Sequence, residues 1–280
     1  MTKLIDGRAL ADKILVDLRR RVARLARQGI RPRLAVILVG NDPASVLYVR
    51  RKGKAAKAIG LRFTLVKLPA RVPRRALLEK IKKLQIKPDL AGLIVQLPLP
   101  KTLNHPEVLN AIRPEIDVDC LTDVNLGKLM RGAPDFIPPT PAAILAILKS
   151  LRCQLLGSNI TIVGTGLLVG RPLAMLCMQA GASVTTVNSR SGGLKEKCRA
   201  ADIIISAVGI PNLIRGNMVK PRAIVIDAGS GLVGNKVAGD VHLPSVQRIA
   251  AAVTPTPGGV GPLTVAKLLE NTVRCAERLW

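Results

Sequence analysis

The chain has 280 residues, enough for two domains of ordinary size, and its 48% hydrophobic and 22% charged residues exclude a disordered chain. Tyr48, Phe63, Phe136 and Trp280 are its only large aromatics, too few for base-stacking platforms along single-stranded nucleic acid. Lys and Arg number 43 against 18 Asp and Glu, a formal net charge of +25, so polyanionic ligands suit the charge but are not identified by it.

The five cysteines, Cys120, Cys153, Cys177, Cys198 and Cys275, contain no C-x-x-C pair, which points to reduced thiols. With only His105 and His242, no metal-ligand cluster is expected. No apolar run approaches the ~18 residues of a membrane span. The Arg-rich start could suggest a transit peptide, but Asp6, Asp12 and Asp17 argue for a cytoplasmic protein.

Residues 9–28 predict an amphipathic helix ended by Gly29. Leu34 to Gly40 reads as a buried strand, and Asn41-Asp42-Pro43 as a helix start running to about Ile59. A strand over 62–67, a helix over 74–84 and a strand over 93–95 follow, the last stopped by Leu97-Pro98-Leu99-Pro100. The Pro-rich passage from Pro134 to Pro141 is a candidate boundary. Beyond it come helix 142–151, strand 159–163, helix 170–180, strand 183–187, helix 194–200, and strands 202–206 and 223–227. A Gly/Pro loop from Thr254 to Pro262 precedes a final helix from about Leu263 to Leu279. Such alternation predicts parallel βαβ units: an α/β protein of two α/β domains with a cleft between them. The second is expected to be a Rossmann-like dinucleotide-binding domain.

That second unit opens with a strand running into Gly164-Thr165-Gly166-Leu167-Leu168-Val169-Gly170. Gly164 permits a tight turn and Gly166 lets a pyrophosphate approach the backbone and the helix N-terminus. The spacing is one residue longer than the common fingerprint, and an ordinary strand–helix turn is the alternative. Strand 183–187 ends in Asn188-Ser189-Arg190-Ser191, with no acid to hold a ribose diol. Ser189 and Arg190 suit a 2′-phosphate, so NADP is expected rather than NAD, the alternative being a solvated loop. Ala207-Val208-Gly209 and Ala228-Gly229-Ser230-Gly231 end two further strands, where a cofactor edge would lie.

In the first unit Tyr48 and Lys52 are spaced i, i+4 and share a helix face. Alone this describes a solvated lysine. Gln96 at a strand end and Asp117-Val118-Asp119 in a loop add polar groups in the same half of the chain.

Together these pieces resemble the bifunctional methylenetetrahydrofolate dehydrogenase/cyclohydrolase family, nearly end to end. The resemblance rests on Leu38-Val39-Gly40-Asn41-Asp42-Pro43-Ala44-Ser45, Tyr48-x-x-x-Lys52, Val95-Gln96-Leu97-Pro98-Leu99-Pro100, Asp117-Val118-Asp119 and Val169-Gly170-Arg171-Pro172. Thr254-Pro255-Thr256-Pro257-Gly258-Gly259-Val260-Gly261-Pro262-Leu263-Thr264, followed by Glu270-Asn271-Thr272, is the most specific stretch. It implies oxidation of 5,10-methylenetetrahydrofolate by NADP, then hydrolysis of the methenyl product to 10-formyltetrahydrofolate. It further implies Lys52 as the catalytic lysine, Gln96 as its partner, Asp119 as the pterin ligand and Tyr48 as the ring beside the folate. Gly259 and Pro262 would line the folate side, and Gly164, Thr165, Gly166, Ser189 and Ser230 fall on NADP-contact positions. A folate-binding domain over 1–138, joined by helix 263–280, and an NADP domain over 139–262 are implied, in a homodimer without membrane or sequence-specific nucleic-acid partners. The chain departs from the family at Cys120, Thr165, Asn188 and Ala228-Gly229-Ser230-Gly231, where Gly, Arg, His and Val-Gly-Ile-Asn are usual. The alternative set by charge is a basic nucleic-acid-binding protein on a retained enzyme scaffold.

Overall fold

The computed structural model describes residues 2–233 and 236–280. Two compact units arise. One comprises Asp12–Lys128, Pro134–Pro139 and Val265–Trp280; the other comprises the first eleven residues, Leu129–Ala133 and Thr140–Thr264. By their contacts the chain's opening residues group with the later sequence, whereas sequence order places them in the 1–138 block.

The unit holding residues 12–128 is built on β2 (Arg33–Val39), with β3 (Arg62–Leu68) on one side and β4 (Leu90–Val95) on the other, all parallel. Leu34 to Val39 and all of β4 are buried, which explains why both strands read as continuous apolar runs rather than alternations. Burying an Ile or Leu of this kind contributes roughly 1.5–3 kcal/mol. Helix α1 (Gly7–Arg27) turns Leu18, Val22 and Leu25 inward and its basic side chains outward. Helix α2 (Pro43–Ala58) starts where Asp42 accepts the Ser45 N–H at 2.8 Å and Pro43 presets the first turn. A Cβ at Gly53 would lie 2.8 Å from Phe63, so glycine lets α2 sit close on β3. Helix α3 (Arg74–Gln85) packs Leu77, Ile81 and Leu84 inward. The short α4 (Pro106–Asn110) and α5 (Asp123–Met130), the latter crossing into the other unit, were not anticipated, and β4 begins three residues before the predicted strand.

The other unit carries a six-stranded parallel sheet in the order β1-β11-β8-β7-β5-β6. Its strands are β1 (Lys3–Leu4), β5 (Asn159–Val163), β6 (Ser183–Val187), β7 (Ile203–Ser206), β8 (Ile224–Asp227) and β11 (Ala252–Val253). Helices α6 (Pro139–Ser150), α7 (Gly170–Gln179), α8 (Leu194–Ala200) and α9 (Leu243–Val246) belong here, with an antiparallel pair, β9 (Gly231–Val233) and β10 (Lys236–Ala238). The chain goes from β5 outward to β6, then returns to β7 on the other side of β5. The strand order therefore reverses between β5 and β7, the place where open α/β sheets bind ligands. The final helix, α10 (Val260–Leu279), starts three residues earlier than expected, which puts Gly261 and Pro262 in its first turn.

Candidate active site

Lys52 lies on the inward face of α2 with Ser45, Val49, Gly53 and Ala56, and only 8% of its surface is exposed. A buried ammonium needs an acceptor, and β4 supplies it. The Gln96 N–H donates to Ile37 O at 2.9 Å, extending the β2–β4 pairing by one residue. Lys52 Nζ then donates to Gln96 Oε1 at 3.0 Å, and Gln96 Nε2 donates to Leu97 O at 2.7 Å. Each end of the amide has a partner, so its oxygen is held toward the lysine. Tyr48, half-buried, sits one turn earlier on α2.

The Asp117–Thr122 loop is fixed by groups that the sequence left unassigned. Asp117 is fully buried and accepts the N–H groups of Leu121 (2.9 Å) and Thr122 (2.8 Å) and Asn125 Nδ2 (3.0 Å), so it organises the loop. Val118 packs against Gly92 of β4, where a Cβ would come within 3.0 Å of it. Asn271 of α10 donates to both Val118 O and Ile137 O at 2.9 Å. Asp119 is thereby held near enough to Lys52 for the two charges to interact. Desolvation pushes its carboxyl above the usual range, the Lys52 charge pulls it back down, and Asp117 raises it further. Its side chain is nonetheless half-exposed, so a ligand can still reach it.

Cys120, where the family usually has Gly, adopts a left-handed φ of 58°. That conformation explains the usual glycine. Here the thiol donates to Phe136 O at 3.3 Å, and burial, with Asp117 and Asp119 nearby, pushes it up to about 12. It is an inert structural thiol.

In the other unit the glycine turn has the shape a dinucleotide needs. Gly164 has φ 108°, and a Cβ there would lie 2.7 Å from Ala207 O across the β5/β7 reversal. A Cβ at Gly170 would fall 1.8 Å from Gly164 O, whereas nothing lies within 4 Å of one at Gly166. Two glycines are thus demanded by packing, and the third leaves open space for a phosphate group. The α7 N-terminus has no side-chain cap, and Arg171 Nε donates to Thr165 O at 3.0 Å. At the end of β6, Asn188 accepts the Arg190 N–H (2.9 Å), which leaves Ser189 and Arg190 exposed on a shaped turn. Gly259 is buried against Gly7, whose Cβ would meet Gly259 O at 1.8 Å, and Pro262 and Ser230 belong to this same unit.

Asp227, which ends β8, is 2% exposed and pushed up to about 6, first by burial. A carboxyl raised in the folded state stabilises fully below its unfolded value, and that contribution is lost as pH rises through about 6. Between pH 5 and 8 the protein should therefore lose roughly 1–2 kcal/mol relative to Asp227→Asn. Denaturant unfolding of both proteins at the two pH values measures this, and an unchanged difference would contradict it.

The family description "Tetrahydrofolate dehydrogenase/cyclohydrolase, catalytic domain" matches residues 5–119, and its "NAD(P)-binding domain" counterpart matches residues 138–280. The chain belongs to the tetrahydrofolate dehydrogenase/cyclohydrolase family. It is 47% identical to "Bifunctional protein FolD" of Cupriavidus necator, over 99% of this chain and 98% of that one. It also matches the crystal structure of the bifunctional methylenetetrahydrofolate dehydrogenase/cyclohydrolase of Campylobacter jejuni, with TM-score 0.96, 38% identity and 99% of each chain covered. The Trypanosoma brucei enzyme complexed with NADP cofactor and inhibitor gives TM-score 0.96 and 38% identity over 99% of this chain and 98% of that one. These comparisons lend no support to the nucleic-acid-binding alternative.

Proposed function

We propose that this member of the family oxidises 5,10-methylenetetrahydrofolate with NADP to 5,10-methenyltetrahydrofolate and hydrolyses that product to 10-formyltetrahydrofolate. The observation that carries the reading is the buried Lys52–Gln96 hydrogen bond with Asp119 close enough to feel the lysine's charge. The unit around β2 takes the folate. Asp119 accepts the paired donors of the pterin ring, and Tyr48 packs beside the folate. Gln96 orients the lysine amine. In the hydrolysis, water adds to the cationic methenyl carbon, one proton of that water passes through Lys52 Nζ to the ring nitrogen N5, and the C–N5 bond opens as the other proton leaves to solvent, so that the formyl group stays on N10.

The unit bearing the six-stranded sheet takes NADP, with Gly164, Thr165 and Gly166 at the pyrophosphate and Ser189 and Arg190 at the 2′-phosphate. Ser230 lies at the cofactor edge, in the same unit as Gly259 and Pro262. The open space over Gly166 fits that cofactor. Bound by these residues, NADP would supply the hydride acceptor for the oxidation. The protein works as a cytoplasmic homodimer, a state that light scattering measures directly.

Asp119→Asn tests the site. It exchanges a two-oxygen acceptor for an amide that mismatches one donor. The folate KM should rise about tenfold or more in both reactions, at the cost of a charged hydrogen bond, with NADP binding unchanged. An unaltered folate KM would remove Asp119 from the site. Asn271→Leu keeps volume but leaves Val118 O and Ile137 O without their donor. It should raise the folate KM in the same direction and lower stability by about 1–3 kcal/mol, measured by steady-state kinetics and denaturant unfolding.

A further inference from the structure

Two carboxylates in the NADP-binding unit have no part in the chemistry above. Asp227 closes β8, and Asp240 follows the β9–β10 pair; they are 2% and 0% exposed. Among the described residues neither forms an ion pair with a cation. Burying two acids without a counter-charge is unfavourable for stability alone, so their partners are informative.

Asp240 Oδ2 accepts from Ser206 Oγ at 2.7 Å and from the Val208 N–H at 2.8 Å. Asp227 accepts the N–H groups of Gly229 (3.0 Å), Asp240 (3.1 Å) and Val241 (3.1 Å). Asp240 is therefore attached directly to the end of β7 and, through Asp227, to the end of β8. The remaining oxygen, Asp240 Oδ1, is buried and has no hydrogen-bond partner among the described residues. It lies against Gly229, where a Cβ would come within 2.1 Å of it. A Cβ at Gly239 would come within 1.9 Å of Asp227 Oδ2. Both glycines thus make room for a carboxyl. Val208 and Gly229 immediately precede Gly209 and Ser230, on the two segments that leave β7 and β8 at their carboxyl ends. In an open parallel sheet those segments carry the cofactor's edge.

We propose that Asp240, held by Asp227, is a positioning residue for NADP that fixes the backbone leaving β7 and β8 in its cofactor-binding shape. This rests on the reading of the unit as the NADP-binding one. Asp240→Ala removes the acceptor shared by Ser206 and Val208. Asp240→Asn keeps an oxygen for both and places its amide at the unpartnered position.

The test measures NADP affinity by calorimetry and, on the same preparations, hydrolysis of 5,10-methenyltetrahydrofolate, which consumes no NADP. Asp240→Ala is expected to weaken NADP roughly ten- to a hundredfold, as loss of a charged hydrogen bond does, with Asp240→Asn restoring most of the affinity and hydrolysis unchanged in both. Wild-type NADP affinity in Asp240→Ala overturns the proposal, as does a parallel fall in binding and hydrolysis, which marks a purely structural role. If Asp240→Ala does not fold, Ser206→Ala removes one of the two contacts; weakened NADP binding then supports the proposal and unchanged binding overturns it. A wild-type protein without NADP affinity would instead remove the cofactor reading, and the proposal with it.

Discussion

Lys52→Met is expected to slow hydrolysis of 5,10-methenyltetrahydrofolate by a factor of about 10²–10⁴, the usual loss when a general acid–base group is removed. Methionine keeps an unbranched chain of similar length on the inward face of α2, so the packing with Val49 and Ala56 survives. What disappears is the amine, and with it the partner of Gln96 Oε1. The half-exposed Gln96 can turn to water at small cost. Oxidation with NADP should fall as well, because the same amine helps to orient the folate, but NADP binding should be retained. Stopped-flow or steady-state hydrolysis, run on protein shown to be folded by circular dichroism, checks this. Near-wild-type hydrolysis would mean that the lysine has only a structural part.

Arg190→Ala should raise the KM for NADP roughly ten- to a hundredfold while leaving the KM for NAD nearly unchanged, since one charged hydrogen bond to a phosphate is lost. Asn188 and Ser191 shape the turn that presents Arg190, through Asn188 Oδ1 to the Arg190 N–H at 2.9 Å and Ser191 Oγ to the Asn188 N–H at 3.1 Å. The alanine variant keeps both contacts, so the turn stays and only the guanidinium is removed. No acid stands at the end of β6, and Thr165 brings no charge to the glycine turn. Discrimination between the cofactors therefore rests on a few exposed groups and should weaken as salt rises. Equal responses to NADP and NAD would make Arg190 an ordinary surface residue.

What was readable in the sequence follows from how local each signal is. Strands 159–163 and 183–187 and helix 194–200 come out as predicted, because β-branched runs and a helix start marked by the preceding glycines are local features. The two-residue strands β1 and β11 are too short for any period, and only the assembled sheet pairs Lys3 with Ala252. Pro139 read as a breaker, yet it opens α6, since proline is tolerated in a first turn. The same misreading delayed the predicted start of α10 past Pro262.

The site shows the same division. Tyr48 and Lys52 announce themselves by spacing on one helix, but Gln96 joins them only through sheet pairing. Asn271 contacts a loop 153 residues earlier in the chain, and nothing around an asparagine in mid-helix signals that. Asp240 was equally silent, although Gly229 and Gly239 flag it once the packing is known. Asp117, expected to be an ordinary loop acid, is the buried anchor that lets its neighbour Asp119 be presented.

The central claim, that one chain carries out both folate reactions, is tested most directly on a single preparation of the unaltered protein. Oxidation of 5,10-methylenetetrahydrofolate is followed by absorbance with NADP and with NAD in parallel, and hydrolysis of 5,10-methenyltetrahydrofolate is followed with no nucleotide present. The account predicts oxidation that favours NADP, together with hydrolysis that proceeds without it. A folded protein that binds NADP and leaves both folates unchanged would contradict it.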